Sequence, residues 1–196
     1  MKNSLLFLAT IFMLNSCVEL PNLLPNGSGE DSDMVIVEYN DLLKNLVTSY
    51  NLASFDDTLV VDDMLSIRFY FNTPGTSCNG SYEMHMVNGH LLKVNSGGNE
   101  FQFLTEGDLV GGIVEGTWGN NGVISVTQDF YAVCIKTFHL PENKDAVVGI
   151  RFKDNLNKWH YGWVVFYLDT TGPNEELYLK AVGYNKQPGT NVRIGG

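Results

Sequence analysis

Apolar and polar side chains alternate along much of this chain with a period of two residues. That is the period of strands, whose successive side chains face opposite sides. Leu65–Phe71 is rich in β-forming residues and ends at the turn sequence Asn72-Thr73-Pro74-Gly75. Tyr82–Val87 and His90–Val94 flank Asn88-Gly89, and Trp118 and Val123–Val126 flank Asn121-Gly122. Asn-Gly favours the type I′ turn, which needs positive φ at both central residues, so the pattern predicts a hairpin at each place. A third such pair is Asn79-Gly80. Phe130–Leu140 is apolar and stops at Pro141, Ala146–Phe152 and Trp159–Leu168 are the most hydrophobic runs, and Glu176–Tyr184 alternates. Short strands at this spacing predict an all-β, antiparallel β-sandwich of jelly-roll-like type. One segment departs from period two. In Glu38–Leu52, the residues Leu42, Leu43, Leu46, Val47 and Tyr50 recur at helical spacing. They predict a short amphipathic helix near the start, with a strand continuing Val35-Ile36-Val37 as the alternative.

The N-terminus has a different pattern. Lys2 precedes an unbroken apolar run from Leu5 to Leu14. This is the layout of a secretory signal peptide, and the run falls short of the roughly 20 apolar residues that span a bilayer. Leu14-Asn15-Ser16-Cys17 closes the run and resembles the lipobox of bacterial lipoproteins, with Asn15 where a smaller residue is usual. The resemblance implies that Cys17 receives a diacylglycerol, that residues 1–16 are removed, and that the new amine is acylated, usually with palmitate. Each buried CH₂ is worth about 0.8 kcal/mol, so two or three chains anchor a protein stably. Val18 is not the aspartate that retains some lipoproteins at the inner membrane. The expected address is therefore the cell envelope, in the outer membrane of a Gram-negative bacterium. Pro21, Pro25, Gly27 and Gly29 make the following stretch read as a tether. The expected organisation is a leader at 1–16, a lipidated cysteine and tether at 17–33, and a β-domain at 34–196.

Charge and cysteine content narrow the classes further. The 196 residues carry a formal net charge of −10. That balance argues against nucleic acid as a partner and against an electrostatic grip on anionic lipid. Beyond Cys17 there are two cysteines, Cys78 and Cys134. In an oxidising compartment a disulfide between them is the first reading, and two separate buried thiols the second. Closing a loop of about 57 residues would be worth roughly 4 kcal/mol in chain-entropy terms. No cofactor motif is present. Asp56, Asp57, Asp62 and Asp63 could supply hard oxygen ligands for a structural Ca²⁺, without EF-hand spacing. Asp169, Asn174 and Glu175 form a similar group, and solvated turn acids are the plainer reading of both. His85, His90, His139 and His160 show no metal-ligand spacing, although His85 and His90 would face each other across the predicted hairpin.

The most specific stretch beyond the leader is Trp159-His160-Tyr161-Gly162-Trp163-Val164-Val165. On a strand, Trp159, Tyr161, Trp163, Val165 and Tyr167 share one face. An aromatic platform for a sugar is the functional reading, with Trp159 and Tyr161 as ligand-binding candidates. Core is the competing one, because Val164, Phe166 and Leu168 make the other face apolar too. Together with Gly149-Ile150-Arg151-Phe152 upstream and Tyr184-Asn185-Lys186-Gln187-Pro188-Gly189-Thr190 through Ile194-Gly195 downstream, the stretch resembles an uncharacterised secreted domain. That domain occurs in bacterial surface lipoproteins and in exosortase-sorted (PEP-CTERM) proteins, and the likeness covers about 57–196. It implies a secreted β-sandwich and names no activity. No C-terminal sorting tail follows, as expected of a protein anchored at its other end. The expected function is therefore a lipid-anchored, non-enzymatic domain that binds or spaces something extracellular, a glycan or a surface protein. The alternative is a glycan-binding accessory domain or glycan-active hydrolase of a polysaccharide-uptake system.

Overall fold

The computed structural model describes residues 33–45, 56–61, 63–72, 80–94, 100–112, 116–130, 133–172 and 175–195. The described residues form strands and no helix. In chain order they are β1 (Met34–Asn45), β2 (Asp56–Val61), β3 (Leu65–Asn72), β4 (Gly80–Met86), β5 (Gly89–Lys93), β6 (Phe103–Leu104) and β7 (Leu109–Val110). There follow β8 (Thr117–Gly119), β9 (Asn121–Phe130), β10 (Val133–Phe138), β11 (Asp145–Lys153), β12 (Trp159–Asp169), β13 (Glu176–Asn185) and β14 (Val192–Arg193). A seven-stranded sheet has the order β1-β13-β12-β11-β5-β8, with β6 also paired to β11. A five-stranded sheet has the order β10-β9-β4-β3-β2, and β14 pairs with β7 in a small ribbon. All of these strand pairs are antiparallel. Most pairing comes from two meanders, β2-β3-β4 and β11-β12-β13, and among the described strands the chain passes between the large sheets at four connections.

The all-β sandwich expected from the alternation is present. Ile67, Phe69, Tyr82, Met84 and Ile124 of the smaller sheet meet Val148, Ile150, Phe152, Val164, Phe166 and Leu179 of the larger in one core. Phe69 and Phe166 meet edge to face, their ring centroids 6.2 Å apart. The larger sheet is also covered on its outer face. There Val110 of β7, Val192 of β14 and Ile194 pack with Leu92, Val147, Trp163, Val165 and Ala181 in a second core. This explains why β12 is buried without interruption from His160 to Phe166. A strand covered on both sides needs apolar residues at odd and even positions alike.

Three expectations are corrected. Glu38–Asn45, for which leucine spacing offered a helix with a strand as the alternative, belongs to strand β1 and pairs with β13 through two register shifts. The rest of that segment, 46–52, lies outside the described residues. Each bulge adds a residue and switches the facing side. Two of the three Asn-Gly pairs are not hairpin turns either, and Asn79 of the third lies outside the described residues. Asn88-Gly89 joins β4 of one sheet to β5 of the other, and Asn121-Gly122 opens β9 directly after β8 of the opposite sheet. None of these four residues has a positive φ. Asn88 instead acts as a clip between the sheets. Its amide Nδ2 donates to the carbonyls of Met64 (2.5 Å) and Lys153 (3.3 Å), and its Oδ1 accepts from Ser66 N (3.1 Å). Gly89 is needed because a Cβ there would lie 2.2 Å from the Arg151 carbonyl oxygen. Accordingly His85 and His90 do not face each other. They sit on different sheets.

Candidate functional site

Register assembles a cluster on the outer face of the larger sheet, at the end where β5 begins and β11 finishes. His90 of β5 is paired with Arg151 of β11, Arg151 with Tyr161 of β12, and Lys153 with Trp159. Directly opposed residues of antiparallel strands share a face. Trp118 joins from β8, opposite Leu92 of β5. Arg151 therefore has one indole toward each side of the sheet. Its Cζ lies 4.6 Å from the ring centre of Trp118 and 4.5 Å from that of Trp159. Lys153 Nζ is 5.0 Å from the Trp159 ring. The His90 and Trp159 rings lie 5.3 Å apart, and those of Trp118 and Tyr161 6.3 Å apart. A cation over an indole face gains about 0.5–1 kcal/mol where exposed and about 2 when desolvated. Two such contacts hold the guanidinium in a fixed orientation. His90, Trp118, Arg151, Lys153 and Trp159 are half-buried, and Tyr161 is buried.

The protonation pattern follows from the geometry. Arg151 Nε donates to His90 Nδ1 at 3.0 Å. The imidazole thus accepts on Nδ1, which puts its proton on Nε2. Burial, then the charges of Arg151 and Lys153, lower the His90 pKa below its usual value and keep the ring neutral. Burial also lowers the Arg151 pKa, while Tyr161 opposes the shift. The guanidinium stays charged regardless. Among the described residues, no carboxylate forms an ion pair with Arg151 or Lys153, and the terminal Nη groups of Arg151 have no hydrogen-bond acceptor. In a chain of net charge −10 this is a local excess of donors and positive charge.

Trp159 and Tyr161, singled out in the sequence, thus come together here. The rest of their stripe does not. Trp163 is 1% exposed in the second core, and its buried indole Nε1 has no hydrogen-bond partner among the described residues. Tyr167 lies near the far end of β12 against Tyr178 and Lys180. Sequence reasoning missed Trp118, Arg151, Lys153 and His90 as members of the site. One signal was available: Arg151 and Lys153 stand two apart and alternate with the apolar Ile150 and Phe152. On a strand this puts two cations on one face, opposite a core face.

The acidic candidates are dispersed. Asp56 and Asp57 open β2, whereas Asp63 lies in the turn after that strand ends. At about 3.3 Å per residue the two ends of β2 are roughly 16 Å apart. Ca²⁺ holds its oxygens at about 2.3–2.6 Å, so Asp56 and Asp63, at opposite ends of β2, do not share one ion. Asp62 lies outside the described residues, as does Asn174, while Asp63 is exposed with φ 54°. Asp169 accepts from the Thr171 hydroxyl (2.6 Å) and backbone N (2.8 Å), which lower its pKa. Among the described residues, no three His, Cys, Asp or Glu side chains converge on a metal position. His85 bonds Glu83 at 2.9 Å. His160 is buried in the main core, stacked on Phe152, with Nδ1 at 2.9 Å from the Asn185 carbonyl and Nε2 at 3.3 Å from Asp154. Cys17 and Cys78 lie outside the described residues, and Cys134 is described only as a backbone position on β10. No protein-family model, curated protein or solved structure matches the chain.

Proposed function

We propose that this chain is a lipid-anchored lipoprotein of the bacterial cell envelope, held in the outer membrane through Cys17, whose β-sandwich binds an extracellular saccharide. The observation that carries the binding half is the pair Trp118 and Trp159 beside Arg151. Two half-buried indoles, held in place by one cation, put apolar ring surface beside hydrogen-bond donors. Pyranose rings present the complementary surface, an apolar face rimmed by oxygens. The rigid site on paired strands favours recognition with little ordering cost. The anchor half is supported by the apolar leader ending in Leu14-Asn15-Ser16-Cys17, and a Cys78–Cys134 disulfide suits the same compartment.

The two halves have separate tests. Cys17→Ser should release the protein from membranes and abolish labelling by a fatty-acid probe. Unchanged membrane association would refute the anchor. The mature protein in detergent should bind a subset of a glycan array, and Trp159→Ala should lose that signal while melting within a few degrees of wild type. Silence of the wild type across the array, or full binding by the variant, would refute the saccharide reading.

A further inference from the structure

Recognition of a neutral sugar needs both donors and acceptors, because every hydroxyl is both. The cluster on β5, β8, β11 and β12 supplies donors. The Arg151 Nη groups are uncommitted, Lys153 carries three donors and no acceptor, and neutral His90 presents Nε2–H. The one acceptor that His90 has, Nδ1, is occupied by Arg151 Nε. No carboxylate among the described residues joins the cluster. Asp154, the acid next to Lys153 in sequence, is turned to the backbone N–H groups of Lys158 (2.8 Å) and Leu156 (2.9 Å) and to His160. Apart from the Tyr161 hydroxyl, which belongs to a buried residue, such a set matches a group that only accepts.

We propose that the ligand of this site is an acidic polysaccharide, whose carboxylate or sulfate ester docks on the free edge of the Arg151 guanidinium while its ring lies against Trp118 or Trp159. The proposal rests on the saccharide reading above and narrows it. Arginine suits the role because its planar fork meets two oxygens at once, whereas lysine is a point charge. The flanking indoles and the bond to His90 fix the plane of that fork before any ligand arrives. His90 stays neutral beside two cations, so it adds a donor without adding repulsion. Lys153 extends the positive surface toward Trp159, where a second charge along an acidic chain could sit.

The test is calorimetric titration of the protein with four probes, first at one matched ionic strength and then at a raised one. They are polygalacturonate, dextran sulfate and neutral dextran, offered to the protein in detergent, and phosphatidylglycerol vesicles, offered to the Cys17→Ser protein in detergent-free buffer. Wild type is expected to bind one of the acidic polysaccharides, more weakly as salt rises, and to ignore neutral dextran. Arg151→Lys keeps the charge and loses the fork, and hydrogen bonds to charged groups are strong enough that affinity should fall about tenfold or more. Lys153→Gln, at a more peripheral position, should weaken binding severalfold, and it carries the test if the Arg151 variant does not fold. Carboxylate and sulfate as the source are told apart by which of the two polymers binds. Binding of neutral dextran that both variants retain would overturn the acidic ligand and leave the saccharide reading standing. Binding of no polysaccharide would overturn both. Acidic binding indifferent to both variants would overturn the assignment to Arg151, and variant-sensitive binding to the vesicles alone would point to a lipid headgroup and overturn it as well.

Discussion

Gly162→Ala tests the frame that positions the cluster. Gly162 lies between Tyr161 and Trp163 on β12, paired with Ile150 of β11 and Tyr184 of β13. A Cβ on it would lie 2.2 Å from the Gly183 carbonyl oxygen and 2.8 Å from Tyr184 Cβ. Carbon and oxygen normally approach to about 3.3 Å, so roughly 1 Å of relief is needed. Neither obstacle is the far end of a flexible side chain, so β12 and β13 must move apart. Overpacking alone costs about 1–3 kcal/mol. Loosening one or two ladder bonds adds about 0.5–1.5 kcal/mol each. The reduced freedom of the unfolded chain returns about 0.4–1 kcal/mol. The net loss is about 2–4 kcal/mol, and each kcal/mol moves the melting temperature of a chain this size by about 2–4 °C. Thermal unfolding followed by circular dichroism should show a drop of about 5–15 °C. Gly112→Ala is the control, since its Cβ would meet only the Tyr161 hydroxyl, at 3.3 Å. A melting temperature for Gly162→Ala no lower than that of the control would refute the reasoning.

Other parts of the account are open to equally direct checks. Asn88→Ala removes three hydrogen bonds that tie the two sheets together and should cost about 2–4 kcal/mol, seen as a lower urea midpoint at unchanged slope. A midpoint equal to wild type would show that Asn88 is not a clip. Asp154 titrates below its usual value, chiefly through the Lys158 backbone N–H, with His160 and Leu156 adding to it against the opposing effect of burial. Its folded carboxyl binds fewer protons than the unfolded one, so its stabilising effect is present above about pH 4 and is lost as pH falls below that. Urea midpoints of wild type should therefore fall more steeply below pH 4 than those of Asp154→Asn, and parallel curves would exclude the effect.

Sheet content was legible because β3, β4 and β13 alternate cleanly, and β11 and β12 announced a doubly covered centre by being apolar throughout. Topology was less legible. Asn88-Gly89 has the composition of a hairpin turn, yet what decides its path is a clip to Met64, Ser66 and Lys153, residues distant in the chain. Local turn preference was outweighed by tertiary hydrogen bonds. The leucine spacing at 38–52 left helix and strand open for a related reason, since what makes Glu38–Asn45 a strand is its pairing with the distant β13. At the site, Trp159 and Tyr161 stood out as an aromatic stripe on one strand. Trp118 could not be joined to them from the sequence, because the register of β8 on β5 is what brings it there.

The central claim is that the ligand meets Trp118 and Trp159 on the outer face of the larger sheet. The chain has three tryptophans, and the third, Trp163, is buried beneath β7 and β14. A titration of the ¹⁵N-labelled mature protein with the bound polysaccharide's oligomer, read at the indole N–H resonances, separates them. The account predicts that the resonances of Trp118 and Trp159 shift with ligand while that of Trp163 stays in place. Binding that leaves both surface indoles unmoved would contradict it.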